Sequence, residues 1–182
     1  VQREKQDDPD RERLGIDVID VDAVIEEIYG DRYGTEKTFR EIYKTHGKET
    51  FRELEREAIA RVAEMEWCIV PTGGSSMMDP RSRRLLRPRS VWVYLDVTPD
   101  FLWQRLSEKG MPAFLQGLED PEEAFRRRTE RAREVLLPHC DCVVDAEDRP
   151  PEDVADAAQR EIAAELASRT DSANTFGDVI RL

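Results

Sequence analysis

The chain has 182 residues with a formal net charge of -12 and 39% hydrophobic residues. That length suits one domain with a full core. The acidic balance argues against a partner bound through a nucleic-acid backbone, because such binding is carried by many Lys and Arg contacts to phosphate.

No apolar run approaches a membrane span. The first residues, Val1 to Asp8, lack the apolar centre of a signal peptide. Cys68, Cys140 and Cys142 are few and odd in number, which fits a reducing cytoplasm. An acidic surface still allows a small anion to bind in a local basic pocket. Nothing in the sequence sets an oligomeric state.

Residues 1–13 are charged, carry no apolar face, and form a separate N-terminal segment. Ile16, Val18 and Ile19 then predict a short strand, and Val24, Ile25 and Ile28 recur at helical spacing up to Tyr29. Asp20 and Asp22 therefore fall where a strand ends and a helix begins. Ligands bind at that end of the strands in open α/β sheets. On an extended segment two residues apart share a side, so the pair could hold a hydrated cation and polarise a hydroxyl. The plainer alternative is that one Asp caps the helix and the other is solvated.

Gly30 to Glu36 reads as a loop. Gly30 to Thr38 is the nearest approach to a phosphate loop. Its spacing is wrong, no strand precedes it, and Asp31 and Glu36 would oppose a phosphate. A helix from Thr38 to Lys44 should present Phe39, Ile42 and Tyr43 on one face and end at His46-Gly47. A longer helix from about Lys48 to Met65 carries Phe51, Leu54, Ala58, Ile59, Val62 and Met65. Within it, Arg52 could clamp a carboxylate, or be an exposed helical Arg paired with Glu55, or Arg56 could pair with Glu53.

Trp67 to Pro71 is a second short apolar run. Thr72-Gly73-Gly74-Ser75-Ser76 follows it as a glycine-rich turn that would let a ligand approach the backbone. A basic segment runs from Arg81 to Arg89. Val91 to Val97 is the strongest strand pattern in the chain. Thr98-Pro99-Asp100 starts a helix, Gly110 to Gly117 is a loop, and a charged helix runs from Pro121 to Val135. Most of its arginines, Arg126, Arg127, Arg128, Arg131 and Arg133, should form a solvated face. Cys140 to Asp145 is the last strand, its two cysteines on one face, and zinc there would need further ligands that the sequence does not supply. Pro151 to Ala167 is an amphipathic closing helix, and 168–182 a polar tail. Strands alternating with helices predict an α/β fold with a parallel sheet flanked by helices.

These pieces, in this order, resemble shikimate kinase. The resemblance runs from about Leu14 to Leu166 and makes 14–167 one α/β domain. It is carried by Ile19-Asp20-Val21-Asp22 with Ile25-Glu26, by Phe39-Arg40-Glu41-Ile42-Tyr43, and by Gly47-Lys48-Glu49-Thr50-Phe51-Arg52-Glu53-Leu54-Glu55. Thr72-Gly73-Gly74, Val93-Tyr94-Leu95, and the Arg131 helix followed by Cys140 to Asp145 complete it.

The resemblance implies a P-loop kinase of the nucleoside-monophosphate-kinase type. Such an enzyme transfers the γ-phosphoryl of ATP, with magnesium, to the 3-hydroxyl of shikimate in aromatic amino acid biosynthesis. By that resemblance Asp20 stands near the metal, and Asp22 holds the shikimate hydroxyls and accepts the proton. Arg52 and Arg131 take the carboxylate from two sides, and Gly73 and Gly74 line the pocket. Arg105 and Arg149 correspond to arginines on the adenine side. Phosphoryl transfer needs positioning and charge neutralisation, which these residue types supply.

Some positions depart from the family pattern. The glycine triplet reads Gly73-Gly74-Ser75, the lid has Met111-Pro112 where Arg-Pro belongs, and Val135 stands where a Tyr is usual. The spacing from there to the last strand is also longer by a single residue. The first strand and phosphate loop would precede Asp10, and no Gly-x-x-x-x-Gly-Lys-Ser/Thr occurs in the 182 residues. The expectation is a sheet without its first, central strand, and impaired ATP binding, unless the true start lies upstream of Val1. A non-catalytic binding or interaction protein is the alternative.

Overall fold

The computed structural model describes residues 16–72, 76–109 and 115–179. It divides into two units, Val1–Arg89 and Ser90–Leu182. The charged segment 1–13, the Gly73-Gly74 turn, Met111 and the apolar tail residues Ile180 and Leu182 lie outside the described residues.

In the first unit, β1 (Asp17–Val18) pairs in parallel with β2 (Cys68–Ile69), in the register Asp17 to Cys68 and Val18 to Ile69. The Ile19 N–H continues the ladder to the Ile69 carbonyl at 2.8 Å. Between these strands run α1 (Val21–Tyr33) and α2 (Phe39–Ala63). The core forms where their apolar stripes meet. Val21, Val24, Ile25, Ile28 and Tyr29 from α1 pack with Ile42, Leu54, Ala58, Ile59 and Val62 from α2, and Ile19, Phe51, Val70 and Leu86 close its edges. Ion pairs across the same seam join Arg61 to Glu27 at 3.0 Å and Arg32 to Glu57.

Helix α1 does not stop at Tyr29. It runs through Gly30 to Tyr33 and ends at Gly34, whose left-handed backbone (φ 67°, ψ 21°) lets its N–H reach the Gly30 carbonyl. The extra turn is held by tertiary contacts. Tyr29 and Tyr33 surround the His46 ring, and Tyr29 Oη lies 2.9 Å from His46 Nε2. The string Gly30 to Thr38 is thus a helix end and the cap of the next helix, not a phosphate loop.

Thr38 starts α2 through a reciprocal capping box with Glu41. The two helices expected on either side of His46-Gly47 are one element broken at Gly47 (φ 75°, ψ −174°). The break seats Ile42 and Leu54, both with no exposed surface, in the same core. Tyr43 and Met65, expected on apolar faces, are 50% and 37% exposed. The basic segment forms α3 (Pro80–Leu86), capped by Asp79 and followed by a short 3-10 turn, Arg87–Arg89.

In the second unit, β3 (Val93–Asp96) pairs in parallel with β4 (Cys142–Asp145), Val93 opposite Cys142 through Asp96 opposite Asp145. The remaining helices are α4 (Pro99–Lys109), α5 (Pro121–Leu136) and α6 (Pro151–Val179). Proline stands at the first position of α5 after the Asp120 cap. Cys142 and Val144 are buried. Cys140 precedes the strand, closing the turn Leu137–His139, so the two cysteines do not share a strand face as expected.

The closing helix passes Ala167 and continues to Val179. Arg169, expected in a polar tail, donates to Asp141 at 2.8 Å, to Glu165 at 2.7 Å and to the Ser90 carbonyl at 3.2 Å. The Asp141 side chain is only 7% exposed and also accepts from the Trp92 N–H at 2.8 Å, so Arg169 compensates a charge that would be costly alone.

Candidate functional site

Asp20 is the N-cap of α1. Its backbone is extended and its Oδ1 accepts from the Asp22 N–H at 2.9 Å. The capping alternative therefore holds for Asp20. Asp22 is already in the first helical turn, so the pair does not lie on an extended segment, and the shared-side argument from strand geometry is corrected. The two carboxylates are neighbours for a different reason, the turn from strand into helix.

Asp22 is half-buried, and its carboxyl is held above the usual carboxylate range. Burial is the main cause, followed by the negative charges of Asp20, Glu26 and Glu55, with Arg40 acting in the opposite sense. The folds of α1 and α2 thus gather three acids and a cation around one carboxyl. Sequence reasoning did not single out Glu26, Glu55 or Arg40 as members of the site. Glu26 and Glu55 recur in the family-like strings, but their convergence on Asp22 is a tertiary fact.

Arg52 lies on α2 one turn before Glu55. It is exposed, has no hydrogen bond or ion pair among the described residues, and lines with Glu49, Glu53 and Arg56 a surface hollow of about 310 Å³. The expected pairing of Arg56 with Glu53 is replaced by one across elements: Arg56 Nε lies 3.4 Å from Asp79 Oδ2. Glu55 accepts from the buried Ser76 hydroxyl at 2.6 Å. Ser76 is the last residue of the glycine-rich sequence, so two consecutive α2 residues, Glu55 and Arg56, tether the chain at Ser76 and Asp79.

Arg131, Arg105 and Arg149 lie in the second unit. Arg131 is exposed, 3.4 Å from Glu134 on its own helix. Arg105 sets its guanidinium over the Phe101 ring at 5.8 Å. Arg149 donates to the carbonyls of Asp145 at 2.8 Å and Asp153 at 3.1 Å, bracing the turn from β4 into α6. Within the expected solvated arginine face two residues reach other elements: Arg126 pairs with Asp100 on α4, and Arg133 donates through Nε and Nη2 to both oxygens of Asp96, at 2.9 and 2.8 Å.

A divalent cation does not fit the described residues by themselves. Asp20 already spends one oxygen as a helix cap, and no group of three or more His, Cys, Asp or Glu side chains among the described residues is placed to hold an ion. Magnesium bound by so few protein ligands would rely on substrate phosphates.

A family model described as shikimate kinase matches residues 12–165. A shikimate kinase from Caldanaerobacter subterraneus subsp. tengcongensis is 30% identical over 148 residues, which is 81% of each chain. One from Synechococcus sp. is 34% identical over 148 residues, 81% of this chain and 70% of the relative. Among solved structures, shikimate kinase from Bacteroides thetaiotaomicron aligns with a TM-score of 0.62 at 28% identity, over 82% of this chain and 83% of that one. The Acinetobacter baumannii enzyme in complex with shikimate gives a TM-score of 0.69 at 23% identity, over 87% and 83%, a likeness of fold.

Proposed function

The chain belongs to the shikimate kinase family, and on that premise we propose that it binds shikimate at the start of α1. Asp22 accepts hydrogen bonds from the ring hydroxyls, and the Arg52 guanidinium takes the carboxylate. The observation that carries this reading is the half-buried Asp22, crowded by Asp20, Glu26 and Glu55. A carboxyl whose charge is disfavoured by its surroundings is a good proton acceptor for an attacking hydroxyl. The Ser76 to Glu55 bond supports it, since it ties the residue that closes the glycine-rich sequence to α2 beside Asp22. Arg131 is assigned to the carboxylate, and Arg105 and Arg149 to the nucleotide, by family position alone.

The reaction assigned by the family is transfer of the ATP γ-phosphoryl to the 3-hydroxyl of shikimate. ATP and magnesium would supply the phosphoryl group and its charge neutralisation. The described donors do not fit the metal, so no step of this reading runs through it. A second reading is a non-catalytic relative that binds the acid and does not transfer a phosphoryl group. Free Cys68, Cys140 and Cys142 fit a reducing compartment, and we place the protein in the cytoplasm.

Calorimetric titration of shikimate tests the reading. Asp22→Ala and Arg52→Ala should each weaken binding about tenfold or more, the size of a charged hydrogen bond. Arg127→Ala should change nothing, because Arg127 pairs with Glu123 on an exposed helix face. Binding that responds to Arg127 but not to Arg52 would reject the assignment.

A further inference from the structure

Arg40 is the second residue of α2. Its side chain is exposed, its guanidinium carbon lies 5.5 Å from the Phe39 ring centroid, and it has no hydrogen bond or ion pair among the described residues. A cation in a first helical turn opposes the helix macrodipole, so α2 gains no stability from it. Yet its place is firmly set. The Thr38–Glu41 capping box fixes the turn it stands on, with Thr38 N 2.9 Å from Glu41 Oε2. Glu26 Oε1 accepts from the Phe39 N–H at 3.0 Å. Glu26 is one turn beyond Asp22 on α1, so this bond ties Arg40's end of α2 to Asp22's end of α1. Arg40 is also the cation that counters Asp20, Glu26 and Glu55 at the Asp22 carboxyl.

A carboxylate-rich site repels an acid. An anionic substrate entering beside Asp20, Asp22, Glu26 and Glu55 meets like charges, and a nearby unpaired guanidinium offsets them. We propose that Arg40 is a further substrate-binding residue that admits an anionic polyol acid to the Asp22 site and selects it over uncharged analogues. The inference rests on the shikimate reading above and adds a residue which that reading does not use. Arg52 holds the carboxylate from the middle of α2, while Arg40 supplies charge at the helix start beside the hydroxyl-binding acid.

The test is calorimetric titration of the full chain with shikimate and with its uncharged methyl ester. Arg40→Gln should weaken shikimate about fivefold, the upper end for an exposed charge pair. It should leave the methyl ester within a factor of about two, and Arg40→Lys should recover most of the loss, since the effect is one of charge. Arg40 is exposed, so these variants should keep the wild-type melting temperature. Unchanged shikimate binding in Arg40→Gln, with binding lost in Arg52→Gln, would overturn the role of Arg40 and leave the shikimate reading standing. Equal weakening of acid and ester would overturn the selectivity. Failure of the wild type to bind millimolar shikimate would overturn both.

Discussion

Gly47 is the position where the backbone alone should decide stability. Its φ of 75° and ψ of −174° lie in a region that is essentially confined to glycine. A Cβ built there meets nothing within 4 Å, so Gly47→Ala introduces no clash, and its whole cost is conformational. A residue held in such a region costs of order 1–3 kcal/mol. The reduced entropy of the unfolded chain returns about 0.4–1 kcal/mol, leaving a net loss on the order of 1–2 kcal/mol.

Gly34 provides the control. It sits in the ordinary left-handed region, also with open space around it. Asn tolerates that region, so Gly34→Asn should be close to neutral, while Gly47→Asn should fail to rescue because ψ at Gly47 is far from left-handed helix. Urea unfolding followed by circular dichroism reads both series, with the slope unchanged if the native state keeps its break. The alternative open to the variant is to straighten α2, which would pull His46 from Tyr29 and expose Ile42. A Gly47→Ala protein with wild-type stability and an intact Tyr29–His46 bond would refute the reasoning.

Four other outcomes follow from the same structure. Leu54→Ala removes a side chain with no exposed surface at the α1–α2 seam, and should cost about 2–5 kcal/mol in denaturant unfolding. Arg133→Met should lose little stability at neutral pH, because the pair is partly exposed. Arg133 holds the Asp96 carboxyl below its ordinary range. Its stabilisation is therefore present above the unfolded-state value and lost as pH falls through the lowered one, so wild type and variant should converge in acid. Asp22 has the opposite sign. Its folded-state value is raised, so ionising it works against folding as pH rises through that range. Asp22→Asn should melt higher than wild type at pH 7, with the gap closing in acid, while binding less shikimate. Without a phosphate-loop motif, calorimetry of the 182-residue chain with magnesium and ATP should show no binding, and a micromolar dissociation constant would contradict this.

Local signals carried much of this fold. The Thr38 start, Pro99 and Pro121 in first turns, the break at Gly47 and the 3.6-residue stripes of Val24, Ile25, Ile28 and of Leu54, Ala58, Ile59 and Val62 are all chemistry of neighbouring residues. Helix α1 overran its predicted end because Tyr33, Arg32 and His46 reward the extra turn from across the seam, which no local pattern encodes. Helix α3 escaped notice because it has only seven residues, three of them arginine, although Asp79-Pro80 is a cap followed by a first-turn proline. Asp22 and Arg52 were legible as types at a strand end and on a helix. The ring of Glu26, Glu55 and Arg40 was not, since it depends on how α1 and α2 cross. Arg169 shows the same limit: read along the chain it is one more polar tail residue, and in the fold it answers the buried Asp141 side chain.

The central claim is that the start of α1, with α2 beside it, is the shikimate site. Nitrogen–proton correlation spectra of the labelled chain, recorded while shikimate is added to millimolar concentration, test it residue by residue. Saturable shifts are expected in Asp22 and Glu26, in Phe39 and Arg40, and in Arg52, Glu55 and Ser76, with Arg127 and its neighbours on α5 unmoved. Spectra that do not change with shikimate, or shifts scattered over exposed helix faces and absent from Asp22 and Arg52, would contradict it.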